Sequence, residues 1–394
     1  MFPICKKNAV SIVLKAKYNL FNNLYLMKSS FLLILFAFFI TACEVSTDKN
    51  SAIEEKIGQM LMAGFQGFEV ADTSHIVRDI QEYYLGGIIL FDYDVPSSSP
   101  NRNVDSPDQV KNLIDDLQQL ASTPLFVAVD QEGGRVARLK PERGFPEHRS
   151  AQYLGELNNP DSTRFYAATM SSTLSDLGFN VNFAPVVDMN TNPQNPIIGR
   201  LERSFSDDAE SVVKHSKIYL EEFSSANVLG VLKHFPGHGS AWNDSHVGMA
   251  DVTDTWEESE LGPYEMLASS GLPFSVMTAH VFNENLDDVP ATLSHHIQTE
   301  ILRNSIGFNG VLFSDDMQMD AIRNYYGLEA SIEKAILAGV DVLIFANNSV
   351  YDPDIVPTSV EIILNLIEEG VITEERIDES YQRIMAAKKD LGLR

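Results

Sequence analysis

The densest chemistry in the chain lies between Lys233 and His246, which reads Lys-His-Phe-Pro-Gly-His-Gly-Ser-Ala-Trp-Asn-Asp-Ser-His. A proline and two glycines make a backbone that turns sharply and holds side chains in a cleft. Three histidines and Asp244 fall within this stretch. A metal is one reading, because neutral imidazole and carboxylate are common ligands. No other dense ligand cluster completes a coordination shell, so no metal is assigned. Asp244 and His246 support a second reading. Two residues apart in a loop, a carboxylate holds an imidazole and raises its basicity for proton transfer. One histidine alone is as well explained by a structural hydrogen bond; the cluster together points to function.

A second signal is Phe313-Ser-Asp-Asp-Met-Gln-Met319. Asp315 follows an apolar run directly, where a carboxylate is costly unless paired, protonated or catalytic. Asp316 is expected to point elsewhere, toward a structural partner. A carboxylate at a barrel mouth with a separate acid/base is what a retaining glycosidase requires. A third signal is Val129-Asp-Gln-Glu-Gly-Gly-Arg-Val-Ala-Arg138. Its paired glycines would let the backbone approach a ligand closely. Asp130, Arg135 and Arg138 either bind sugar hydroxyls or form a local ion-pair network; residue types alone do not choose.

These residues need elements to hold them. Apolar runs occur at Met60–Gly64, Gly87–Phe91, Leu125–Val129, Val181–Val187, Val228–Lys233, Phe274–Ala279, Val311–Ser314 and Val340–Phe345. Most are short, continuous and β-rich, as strands buried on both faces should be. Amphipathic stretches at Pro107–Leu120, Asp207–Ser225 and Leu328–Ala338 read as helices, and Val371–Leu393 as a closing helical region. Such alternation predicts a parallel sheet, and eight strands predict a single-domain α/β fold, the (β/α)8 TIM barrel. A doubly wound sheet is the rival, but no GxGxxG turn follows the first strand. In a barrel Asp130, Asp188, Lys233-His234, His280 and Asp315 would meet at one mouth, since each closes an apolar run.

The 394 residues carry a formal net charge of −26, which disfavours nucleic acid as a partner. Cys5 and Cys43 make no disulfide framework. Met27-Lys28 precedes an apolar run of ten residues, Phe31 to Ile40, then Thr41-Ala42-Cys43. A run this short is a signal-peptide core rather than a membrane span, and residues 1–42 are read as that signal. Residues 1–26 hold four lysines and no acid: either a long basic leader, or a misassigned start with Met27 the true initiator. Small residues before Cys43 resemble a bacterial lipobox, which implies a lipidated Cys43 and an extracytoplasmic lipoprotein held to the membrane by that anchor only. Residues 43–52 read as its tether and 53–394 as the barrel.

The ordered set DQEGGRVARL, Arg203-Ser-Phe205, KHFPGHG with DSH, FSDDMQM and AGVDVLIF resembles the single-domain β-N-acetylhexosaminidase branch of glycoside hydrolase family 3, from Ile57 to the C-terminus. The resemblance implies an exo-acting retaining enzyme that releases terminal N-acetylglucosamine from glycans, with no cofactor. Asp315 would be the nucleophile, and His246 paired with Asp244 the acid/base. Asp130, Arg138, Arg203, Lys233 and His234 would bind the terminal sugar. The family pattern has one residue between Ile-Gly and Arg-Ser-Phe; here two extra residues make Arg200 a rival to Arg203. Trp242 either stacks on a sugar face or packs the loop. A non-catalytic glycan-binding lipoprotein, a metal-dependent barrel hydrolase and a family 3 β-glucosidase are the alternatives.

Overall fold

The computed structural model describes residues 52–70, 75–245 and 248–393. Cys43, the leader and the tether lie outside the described residues, and so does His246. Residues 54–394 form one compact unit.

Eight parallel strands close into a barrel: β1 (Leu61–Gly64), β2 (Gly87–Leu90), β3 (Phe126–Val129), β4 (Val181–Asn182), β5 (Leu229–Phe235), β6 (Ser275–Thr278), β7 (Leu312–Asp316) and β8 (Val342–Phe345). Each pairs with its neighbours in sequence, and β1 pairs with β8. Strands β1, β2, β3 and β8 are apolar throughout because both faces are buried, one by the barrel interior and one by helices. Helices at Pro107–Leu120 and Leu328–Ala338 have the predicted bounds. The first is set by Ser106, whose side chain accepts from the Gln109 amide, and by Pro107 in the first turn.

The fourth strand is shorter than its apolar run. Pro185 has no N–H to give the ladder, so regular pairing stops at Asn182. Beyond it the chain keeps contact by single bonds, such as Val187 N to the Lys233 carbonyl at 3.0 Å. Strand β7 is longer than predicted and includes Asp315 and Asp316.

The interior is layered. Phe313 packs against Phe126 and Phe183, with ring centroids 6.0 and 5.7 Å apart. Below this aromatic layer Lys388, buried, donates to Gln59 Oε1 at 2.6 Å and the Gly86 carbonyl at 2.9 Å. Lys388 comes from the last helix, Glu374–Asp390. The same helix is bound to the barrel through Asp341, wholly buried just before β8. Asp341 accepts from Arg303 at 2.7 Å, Ser380 at 2.7 Å, Arg383 at 3.0 Å and the Leu312 amide at 3.0 Å.

Removing one partner of a buried ion pair strands the other. Asp341→Ala is therefore expected to lower unfolding free energy by about 3 kcal/mol or more, read from the urea midpoint. A loss below about 1 kcal/mol would show that the helix is not held through this carboxylate.

Candidate active site

A cavity of about 430 Å3 opens at the C-terminal ends of the strands. Ile89, Asp130, Lys233, Met277, Asp315 and Ile344 reach it from different strands, and Phe183 floors it. Of the residues singled out in the sequence, Asp130, Arg138, Arg203, Lys233, His234 and Asp315 all line this one space. Arg200 does not: it is exposed and donates to Gln194 Oε1 at 3.2 Å. The two extra residues thus leave Arg203 at the cavity and turn Arg200 outward, while Leu201 joins the wall.

The charged wall is one network. Lys233 Nζ lies 2.7 Å from both Asp130 Oδ1 and Glu132 Oε1. Arg203 grips Glu132 with two parallel bonds of 2.8 Å, from Nε and Nη2, a bidentate geometry that fixes both groups. Arg138 stands 3.5 Å from Asp130 Oδ2 and 3.9 Å from Asp92 Oδ1. Burial would push the Glu132 carboxyl up, but the charges of Arg203 and Lys233 and their hydrogen bonds overcome it and hold it at about 2. Asp130 is also held below the ordinary carboxylate range: its burial is outweighed by Lys233 and Arg138.

His234 is set from behind. Its Nδ1 lies 2.6 Å from Asp188 Oδ2, and Asp188 also accepts from the His234 and His238 amides. Burial would raise Asp188, yet His234 holds it ionised. A carboxylate on Nδ1 assigns the proton there and leaves Nε2 as an acceptor, 3.3 Å from Arg203 Nη2. Lys233 and His234 are neighbours in β5, yet both face the cavity. Here the register shifts between Leu232 and Phe235, and the Lys233–His234 peptide is cis.

Two strand-end residues expected at the mouth sit below it. Asp188 is enclosed beneath His234, and His280 is buried, bonding Thr292 Oγ1 at 2.8 Å and the Asp316 carbonyl at 3.0 Å. Asp315 is half-buried at the cavity, its amide donating to Thr278 Oγ1 at 3.3 Å and its Oδ1 accepting from the Asp316 amide at 2.8 Å. Asp316 accepts from the Gln318 and Ala346 amides, a structural role, although it also borders the cavity. The paired glycines of the third signal face protein rather than ligand. A Cβ at Gly133 would lie 2.3 Å from the Arg149 carbonyl oxygen. Asp244 is half-buried, with its loop partner His246 outside the described residues; Trp242 is exposed beside it. Among the described residues, no group of three or more His, Cys, Asp or Glu is arranged to hold a metal ion.

Glu132 escaped the sequence reading as a site residue, and that reading puts Asp188 at the mouth rather than beneath His234 as its support. Glu132 lies inside DQEGG, but nothing local reveals that Lys233 from β5 and Arg203 from the connection after β4 arrive to meet it.

A parallel eight-stranded barrel with a charged cavity at its C-terminal mouth defines the class: a (β/α)8 barrel whose strand ends converge on one polar cavity. The glycosyl hydrolase family 3 N-terminal domain matches residues 52–387, and the chain belongs to that family. Beta-hexosaminidase A of Pseudoalteromonas piscicida is 33% identical over 79% of this chain, which spans only 54% of that relative. A beta-hexosaminidase of Nitrosomonas eutropha is 34% identical over 75% of this chain and 81% of its own length. Among solved structures, a family 3 beta-N-acetylglucosaminidase from Paenibacillus superposes with a TM-score of 0.79 at 35% identity, covering 86% of this chain and 62% of that one. A beta-N-acetylhexosaminidase from Beutenbergia cavernae gives 0.75 at 27% identity, covering 86% and 98%.

The sign of one pH effect follows from Glu132. Its folded value lies below its ordinary 4.5, so the stability it contributes is present above pH 4.5 and drains away toward about 2. Glu132→Gln is expected to be less stable than wild type at neutral pH and to show a flatter fall in urea midpoint over that acid window. Equal slopes for both proteins would refute the ion-network assignment.

Proposed function

We propose that the protein is a retaining, exo-acting β-N-acetylhexosaminidase that removes terminal N-acetylglucosamine from glycans. One observation carries the reading: six side chains suited to a sugar and its chemistry, from Asp130 to Asp315, line a single cavity although they are far apart in sequence. The names of the relatives support it.

In this mechanism the Asp315 carboxylate attacks the anomeric carbon, and the bond to the leaving oxygen breaks. His246 gives its proton to that oxygen, with Asp244 stabilising the imidazolium. A water then loses its proton to His246 and displaces the aspartate, returning Asp315 as the free carboxylate. Imidazole titrates near neutrality, so one group serves both halves. Asp130 accepts from ring hydroxyls, and Lys233, Arg138, Arg203 and His234 supply donors or orient them. Phe183 lines the cavity together with Ile89 and Ile344, an apolar surface beside the charged wall. The natural setting of this activity, in the same proposal, is the outside of a bacterial cell, with Cys43 as the lipidated N-terminus.

The test is hydrolysis of a nitrophenyl β-N-acetylglucosaminide and of an alkyl glycoside with a poorer leaving group. Asp315→Asn is expected to lose on the order of 10⁴-fold or more in kcat on both. His246→Ala is expected to lose roughly 10²–10⁴-fold on the alkyl glycoside and distinctly less on the nitrophenyl one, which needs little protonation. Equal activity of the three proteins would end the proposal.

A further inference from the structure

The turn Gly237–Ser240 lies between two walls of opposite character. On one side every contact is a made hydrogen bond. Asp188 Oδ1 accepts from the His238 amide at 2.8 Å. Asn195 donates to the His238 and Gly239 carbonyls, and Asn192 to the Ala241 carbonyl at 2.9 Å. A Cβ at Gly239 would lie 1.7 Å from the Met189 carbonyl oxygen, so the backbone is pressed flat against that wall. On the other side stands Glu260, 2% exposed. A Cβ at Gly237 would lie 2.7 Å from its Oε2. Neither Glu260 oxygen makes a well-formed hydrogen bond, although Ser240 and the Gly239 amide approach it, and Tyr264 Oη, Ser240 Oγ and His238 Nδ1 nearby are also buried without one. A bare carboxylate in such a place is heavily penalised, whereas a carboxylic acid is not. The other side of the His238 ring reaches Ser245 Oγ at 3.1 Å, next to the loop residue Asp244.

We infer that Glu260 is a positioning residue that braces the Gly237–Ser240 turn by packing a buried, uncharged carboxyl against it, and so fixes the His238–Ser245 contact beside Asp244. The inference deepens the glycosidase reading and rests on it for the loop's role. It invokes no ligand: the acid form leaves no bare buried charge against the turn. The charged and titratable groups facing Glu260 agree with this state. Asp188 repels a second negative charge, Tyr264 from the next helical turn is held neutral far above its ordinary value by burial, and burial holds His238 neutral at about 4. Burial lifts the Glu260 carboxyl to about 7 against the opposing pull of Ser240, with a smaller lift from Asp188 and a smaller pull from the Gly239 amide.

Because the folded value is raised, the stability tied to the acid form is complete below about 4.5 and is lost as pH rises through about 7. Glu260→Gln keeps a donor and cannot ionise. Its thermal midpoint relative to wild type is expected to climb from about pH 5 to about pH 8, while kcat at about pH 6 stays within about twofold. Glu260→Ala removes the brace: hydrogen exchange across Gly237–Ser245 should quicken, and kcat should fall on the order of tenfold to a hundredfold with KM little changed. Parallel midpoint curves for wild type and Glu260→Gln, or unaltered exchange in Glu260→Ala, would overturn the inference. Both of these readouts are independent of turnover, so an inactive wild type would count against the glycosidase reading alone.

Discussion

The site depends on Glu132, a carboxylate enclosed between two cations at the end of an apolar barrel. None of the three could be buried alone; a lone charge at such depth would neutralise or drag the chain toward water. Together they fix distances. Arg203 and Lys233 come from segments far from Glu132, and their bonds of 2.7–2.8 Å to it tie the loop after β4 and strand β5 to the loop after β3 on one side of the cavity. Asp130 then inherits its place, because Lys233 bridges both acids.

The rest of the mouth is organised around this wall. Asp188 plays the same part for His234 that Glu132 plays for the cations: a hidden acid that orients a visible group. Beneath, Phe183 and Phe313 separate the charged layer from the polar closure at Asp341 and Lys388. Polar groups thus occupy the two ends of the barrel, and an apolar plug separates them. Asp315 faces the ion wall across the cavity, its backbone amide tied to Thr278 and its carboxylate steadied by the next amide.

Much of this was legible in the chain. Eight short apolar runs foretold eight strands because strands covered on both faces need no alternation. Carboxylates and histidines closing those runs foretold a shared mouth, and Asp130, Lys233, His234 and Asp315 are there. Two kinds of information were not legible. Depth was one: Asp188 and His280 close their runs like the others, yet they lie under the cavity, and only packing decides that. Pairing was the other. Asp130 pairs not only with nearby Arg138 but with Lys233, 103 residues away, and whether Gly133 serves a ligand turned on the position of Arg149. Pro185 was visible all along, but its effect on β4 depends on which side of the ladder needs its missing donor.

In the proposed reaction the ion wall fixes a sugar while the acid opposite it forms a bond to carbon. The most direct measurement is mass spectrometry of the protein quenched during turnover of a slowly deglycosylated N-acetylglucosaminide, followed by peptide mapping. One N-acetylhexosamine residue attached at Asp315, absent after long incubation, is the expected result. Turnover with no adduct at any time, or an adduct on a different carboxylate, would contradict it.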